Sequence, residues 1–146
     1  MGLAQTRCVD CIAMGRRSSR RAPKPGPRCL ACWREEKRRR SQAAHAKMVH
    51  EVYEITGEEY WAIYEAQGGR CAICQRSTGV RRRLAVDHDH HKDGCQHDPK
   101  IGCRNCVRAL CCGPCNELLG RYDVAALKRA ITVLIDPPAQ RVLKGQ

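Results

Sequence analysis

Cys71-Ala-Ile-Cys74, then Asp87-His88-Asp89-His90, then Cys112-Gly-Pro-Cys115-Asn116: the order of these three stretches decides how the chain folds. Two thiolate pairs about forty residues apart can close one tetrahedral zinc site. The polar cluster between them, with an amide directly after the last cysteine, offers the oxygen donors that a harder cation prefers. Residues suited to chemistry are thus bracketed by residues suited to holding shape.

The composition calls for such a frame. The chain has 146 residues, no Phe and only 4% aromatic residues, too little for a large packed core. Small domains of this kind draw stability from disulfides or metal, and twelve cysteines are present. No apolar run approaches the roughly 18 residues of a membrane span, and the first residues lack the apolar stretch of a secretory signal. The expected location is therefore cytoplasmic, where thiols stay reduced and C-x2-C pairs read as zinc ligands. A thioredoxin-like role for such a pair needs a βαβ pattern that this chain lacks. The start, Met1-Gly-Leu-Ala-Gln-Thr6, fits the loose N-myristoylation pattern, but no second anchor accompanies it.

Net charge is +12 and is unevenly placed. Residues 1 to 50 carry 13 Lys and Arg against 3 Asp and Glu, whereas residues 51 to 146 carry 14 against 12. A basic front end on a nearly neutral body is the footprint of a protein that grips a polyanion with one part and acts on it with another. The front end contains Cys8-Val-Asp-Cys11 and Cys29-Leu-Ala-Cys32, separated by a loop rich in Arg, Pro and Gly. Two matched pairs around a mobile basic loop predict a second zinc site, on Cys8, Cys11, Cys29 and Cys32. Residues 33 to 50 contain no Gly or Pro and predict a largely solvated helix. Its Arg38-Arg39-Arg40 run is either a solvated charge cluster or a phosphate contact.

Further along, a helix is expected from near Thr56, with Tyr60, Ile63 and Tyr64 on one face, ending at Gly68-Gly69. Residues 84 to 86 read as a strand entering Asp87, with Arg81-Arg82-Arg83 as the turn of a β-hairpin before it. Residues 110 to 112 read as another strand or knuckle arm. Pro114 opens a helix to about Leu119 that carries Asn116 in its first turn. A last helix follows Asp123, and its Val124, Leu127, Ile131, Leu134 and Ile135 stripe is expected to pack against the Tyr60 helix. Residues 139 to 146 read as a tail.

The runs at residues 64 to 74, 86 to 90 and 107 to 116 resemble the recombination endonuclease VII family, a branch of the HNH, or ββα-metal, nucleases of bacteriophages and their bacterial hosts. The resemblance covers roughly residues 55 to 138 and leaves out the basic front end. It implies an α+β fold, small and zinc-stabilised: a ββα-metal core flanked by helices, here preceded by the N-terminal zinc module. The expected segments are then a basic zinc-binding module and helix over 1–50, a nuclease domain over 51–138 and the tail. The resemblance also implies zinc on Cys71, Cys74, Cys112 and Cys115, a divalent ion, usually magnesium, on Asp87 and Asn116, and His88 as general base. The residues agree: a hard ion on carboxylate and amide oxygens polarises a phosphate, and an imidazole takes a proton near neutral pH. DNA is the implied partner, duplex or branched, and junction cutting would call for a homodimer. The implied setting is a bacterial or phage-infected cell.

Several points stay open. His90 is a third ion ligand, a phosphate contact or a surface histidine. Cys95, His97, Cys103 and Cys106, in an insertion after His90, form either a further zinc loop or a set of loop thiols. Ala85 stands where many family members carry a histidine, which removes one imidazole and leaves the Asp87, His88 and Asn116 set. Asp87 and His88 are consecutive, so both can serve one site only if the strand bends between them. Cys111 has no partner in the pattern and reads as a small buried hydrophobe. The competing function is a non-catalytic zinc protein that binds nucleic acid, for instance a regulator.

Overall fold

A computed structural model describes residues 7–24, 26–90, 94–95, 97–98 and 100–145; the Met1 to Thr6 pattern lies outside them. The chain divides into two compact units, Met1–Glu58 and Glu59–Gln146. Among the described residues no helix is long and apolar enough to cross a membrane.

In the first unit each cysteine pair straddles a helix start. Cys8 precedes α1 (Val9–Ala13), which carries Cys11, and Cys29 precedes α2 (Leu30–Tyr53), which carries Cys32. The basic loop between the pairs satisfies backbone donors that a helix start leaves open. Ser19 Oγ accepts from Ala31 N–H at 3.0 Å, Arg20 O from Leu30 N–H at 2.8 Å, and Ser18 Oγ from Cys8 N–H at 3.2 Å. The long helix buries only Cys32 and Val49, as its polar composition demands. It runs beyond the expected bounds at both ends and closes where Glu54, at φ 57°, donates its N–H to His50 O, a left-handed cap.

The second unit contains the sheet. Helix α3 (Gly57–Ala66) buries Tyr60, whose hydroxyl donates to Leu84 O at 2.8 Å, and Gly68 and Gly69 at φ 71° and 70° turn the chain after it. Strand β1 (Ala85–His88) pairs antiparallel with β2 (Val107–Cys111), and α4 (Gly113–Arg121) follows and packs on β1. This is the expected ββα order in a small α+β fold. The Arg81 to Arg83 turn is corrected: β1 finds its partner downstream, and residues 79 to 82 are bends. The stretch before them spends its backbone bonds on itself, with Cys71 N–H to Ser77 O at 2.8 Å and Gln75 N–H to Cys71 O at 3.1 Å, so no strand forms there.

Two further expectations are corrected at the C-terminal end. Helix α5 (Val124–Ile135) begins at the Asp123 cap, which accepts from Ala126 N–H, but most of its stripe is uncovered, and of its five residues Leu127 alone is half-buried. Val124 is 68% exposed, Ile131 55%, Leu134 81% and Ile135 79%. Tyr60, Leu84, Val86, Leu110 and Cys111 are buried, and this small set offers no apolar floor for another helix. The tail contains a short helix, α6 (Pro138–Leu143), started by a proline whose fixed φ suits the first turn.

Candidate metal centres and active site

The three cysteine groups assemble. In each of Cys8/Cys11/Cys29/Cys32, Cys71/Cys74/Cys112/Cys115 and Cys95/His97/Cys103/Cys106, the ligand atoms all lie within 4.8 Å of one another. Zinc–sulfur bonds of about 2.3 Å in a tetrahedron place sulfurs about 3.8 Å apart. The Cys74–Cys112 separation is 3.8 Å and Cys11–Cys29 is 3.7 Å, so these sites fit the ion closely. Four thiols so close cannot all ionise without a cation. Burial and the neighbouring thiols push Cys115 up to about 12. Burial also pushes on Cys71, but N–H groups of Cys112, Cys74 and Ile73 outweigh it and bring that thiol down to about 6. In the first unit burial raises Cys32 to about 12, while N–H···S bonding from Cys32 lowers Cys29 to about 5. The Arg16 guanidinium donates to Cys32 Sγ at 3.2 Å, adding positive charge beside a ligand set that zinc alone leaves anionic. The clusters suggest zinc binding.

The third group occupies the insertion between β1 and β2. Its sulfurs sit 3.0 to 3.5 Å apart, tighter than a zinc tetrahedron. His97 Nε2 lies 3.0 Å from Cys106 Sγ and its Nδ1 lies 3.2 Å from Asp98 O. A carbonyl there can only accept, so Nδ1 carries a proton and Nε2 is left for a metal. Cys106 closes a short 3-10 turn (Arg104–Cys106) that leads directly into β2, and its carbonyl accepts from Asp89 N–H at 2.9 Å. The insertion is thereby tied to the far end of β1.

That end of β1 carries the candidate chemistry. Asp87 and His88 are buried, at 4% and 9% exposure, and the His88 and His90 rings lie 4.4 Å apart. The register breaks between Asp87 and His88: Asp87 pairs with Ala109 but His88 with Val107. Arg108 is therefore an extra residue on β2, a bulge that bends the strand and lets two consecutive side chains depart from strict alternation. From the bulge, Arg108 Nε reaches Asp87 Oδ2 at 2.7 Å and Nη2 reaches Oδ1 at 3.1 Å. Hydrogen bonding to that carboxylate raises the guanidinium's pKa further. Asn116 lies in the first turn of α4, behind the Cys112 cap and Pro114. Its Oδ1 is buried with no hydrogen-bond partner among the described residues, an arrangement that costs free energy unless something else is bound there. A carboxylate and an orphaned amide oxygen, carried by elements that pack on each other, fit a hard divalent cation.

Sequence reasoning missed two residues. Arg108 stands in the family-like run without a role there, and its only signal is a lone cation two residues before a buried strand end. Gln67 gives no signal either; its amide serves β2 in place of a neighbouring strand. Cys111 is buried as expected, and burial raises its thiol to about 12.

The structure is a small α+β domain with a ββα order, whose cysteine clusters could bind zinc, built around a polar strand end. The recombination endonuclease VII family model matches residues 46–136, and the chain belongs to that family. It is 48% identical over 139 residues to the Gene 59 protein of Mycobacterium phage D29, and 45% identical over 139 residues to the Gene 59 protein of Mycobacterium phage L5. Each alignment covers 93% of this chain and 77% of the relative. No solved structure matches it. Membership implies a DNA endonuclease.

Proposed function

We propose that this chain is a divalent-metal-dependent DNA endonuclease of the HNH, or ββα-metal, type that hydrolyses phosphodiester bonds with His88 as general base. The observation that carries the reading is the buried, unpartnered Oδ1 of Asn116 on the helix packed against the strand of the buried Asp87 carboxylate. These two side chains would hold the ion, magnesium being the expected one. Bound there, it would supply Lewis acidity to the phosphate and neutralise charge on the departing 3′ oxygen. His88 takes the proton from the attacking water at an imidazole nitrogen, and His90, its ring beside that of His88, would orient it or meet the phosphate. The products are a 5′-phosphate and a 3′-hydroxyl. Zinc on the three cysteine groups is structural: on Cys71, Cys74, Cys112 and Cys115 it ties the ends of the ββα motif together where the core is too small to do so, and on the first group it joins α1 and α2.

The basic front end grips the duplex, and branched DNA is the substrate favoured by family membership. A homodimer would bring two sites to one junction, and the exposed apolar residues of α5 support it. The phage relatives favour the cytoplasm of an infected bacterium as the place of action.

The test is nicking of supercoiled plasmid by the full chain with magnesium, calcium or chelator. Wild type is expected to nick with magnesium, and His88→Ala to lose about 10²–10⁴-fold, the usual worth of general base catalysis. Asn116→Ala should need more magnesium for half-maximal rate. A four-way junction assayed beside its matching duplex reads the substrate, and the rate's order in protein concentration reads the copy number. Binding without nicking under every divalent ion would leave the non-catalytic zinc protein as the better account.

A further inference from the structure

Three features converge on Arg108. It is the bulge residue of β2, so its side chain is aimed by a local break in the ladder. Its Nε and Nη2 edge is engaged side-on by both oxygens of Asp87. Its exposure is opposite in kind: the Asp87 side chain is 4% exposed and the Arg108 side chain 42%. A guanidinium has five N–H donors in a planar fork. Two are spent on the carboxylate, and among the described residues no other hydrogen-bond acceptor takes the remaining three, the Asp89 carboxylate acting on the guanidinium through its charge alone. The carboxylate, for its part, keeps one lone pair on each oxygen beyond those used by arginine, so the pairing and ion binding are compatible.

We propose that Arg108 is a catalytic residue, gripped by Asp87 along one edge and presenting its outer N–H groups to the scissile phosphate. The proposal rests on the endonuclease reading and adds to it a second, permanent positive charge on the phosphate, opposite in origin to the metal. As water adds to phosphorus and the 3′ oxygen departs, negative charge gathers on the non-bridging oxygens, and a planar fork meets two of them at once. Asp87 holds the fork still, so it does not have to be ordered when substrate arrives. Lysine at 108 would keep the charge but reach only one partner at a time.

The experiment compares Arg108→Ala, Arg108→Lys and His88→Ala in the full chain, with wild type. The readouts are cleavage kinetics, manganese binding to the protein alone by electron paramagnetic resonance, and zinc content. For Arg108→Ala the expected result is a fall in kcat of about 100-fold, as for loss of one transition-state donor. KM should stay within about threefold and manganese affinity should be equal or tighter, since a competing cation has left Asp87. Added guanidinium ion should restore part of the rate to Arg108→Ala and none to His88→Ala. Wild-type kcat in Arg108→Ala would overturn the proposal. So would a loss of manganese affinity parallel to the loss of rate, which would make Arg108 only a support for Asp87. If Arg108→Ala loses its zinc and fails to fold, Arg108→Lys decides: an about tenfold lower kcat supports the planar fork, and a wild-type rate sinks it. Failure of the endonuclease reading looks different, because wild type itself would then not cleave.

Discussion

The amide of Gln67 lies where a third strand would lie. Its Oε1 accepts from Leu110 N–H at 2.7 Å, and its Nε2 donates to Leu110 O at 2.9 Å and to Arg70 O at 3.0 Å. Leu110 is fully buried, and its carbonyl has a second donor in Ala72 N–H at 3.1 Å, so its N–H depends on Gln67. Replacing Gln67 with Leu keeps the bulk and orphans that donor, at a cost of about 1–3 kcal/mol. Calorimetry should register a fall in Tm of several degrees with zinc content unchanged; no fall would mean that the N–H finds another partner. At this scale Asp87, His88 and Asn116 stood out in the sequence as candidates, because residue type names the donor atoms a cation or a proton needs. Gln67 and Arg108 were not, because a glutamine or an arginine next to a strand is ordinary until the partner of each is known.

At the scale of elements, three of the ligand pairs, starting at Cys8, Cys29 and Cys112, mark where helices begin, since a C-x2-C pair is local and its spacing survives any tertiary arrangement. The insertion between β1 and β2 is a third such element, and it tests the zinc count. With all three groups loaded, elemental analysis should give three zinc ions per chain, and Cys106→Ser should remove one. That ion should also leave first to a chelator. The Cys106 thiolate and the Asp98 carbonyl hold the His97 imidazole up at about 9, so at neutral pH zinc must displace a proton from Nε2. The sign follows: as pH falls below that value the proton competes harder and zinc at this site weakens, and its sulfurs, as close as 3.0 Å, fit the ion less well than a regular tetrahedron does. Equal release from all three would argue against the ordering. The Arg81 to Arg83 turn failed at the same scale, because a basic run between short apolar segments fits a hairpin turn and a solvated bend alike.

Across the whole molecule the charge is concentrated in the front end. In α2, Arg39 and Arg40 both pair with Glu36, at 2.8 Å and 2.6 Å, and those two hydrogen bonds draw the Glu36 carboxyl down to about 2. Two arginines of the Arg38 to Arg40 run, read as either a solvated cluster or a phosphate contact, are therefore already engaged. Arg17, Arg20 and Arg21 in the loop between the first cysteine pairs are exposed and better placed to meet a backbone. Changing these three to Ala should make the dependence of DNA binding on salt shallower by about 0.9 in log–log slope for each phosphate no longer neutralised, with nicking at low salt retained. An unchanged slope would move the grip elsewhere.

Taken alone, the order of residues pointed to two four-cysteine sets, the ββα sequence of elements and the polar strand end, and left the Cys95, His97, Cys103 and Cys106 group open until the structure brought it together. Metal ligation depends on residue type and short spacing, and both are written in one dimension. Only the tertiary structure decided that β1 pairs with β2 through a bulge at Arg108, that Gln67 closes the open edge and that most of the α5 stripe is exposed. Strand register and burial are settled by contacts between distant segments. Periodicity says which side chains share a face and is silent on what covers it.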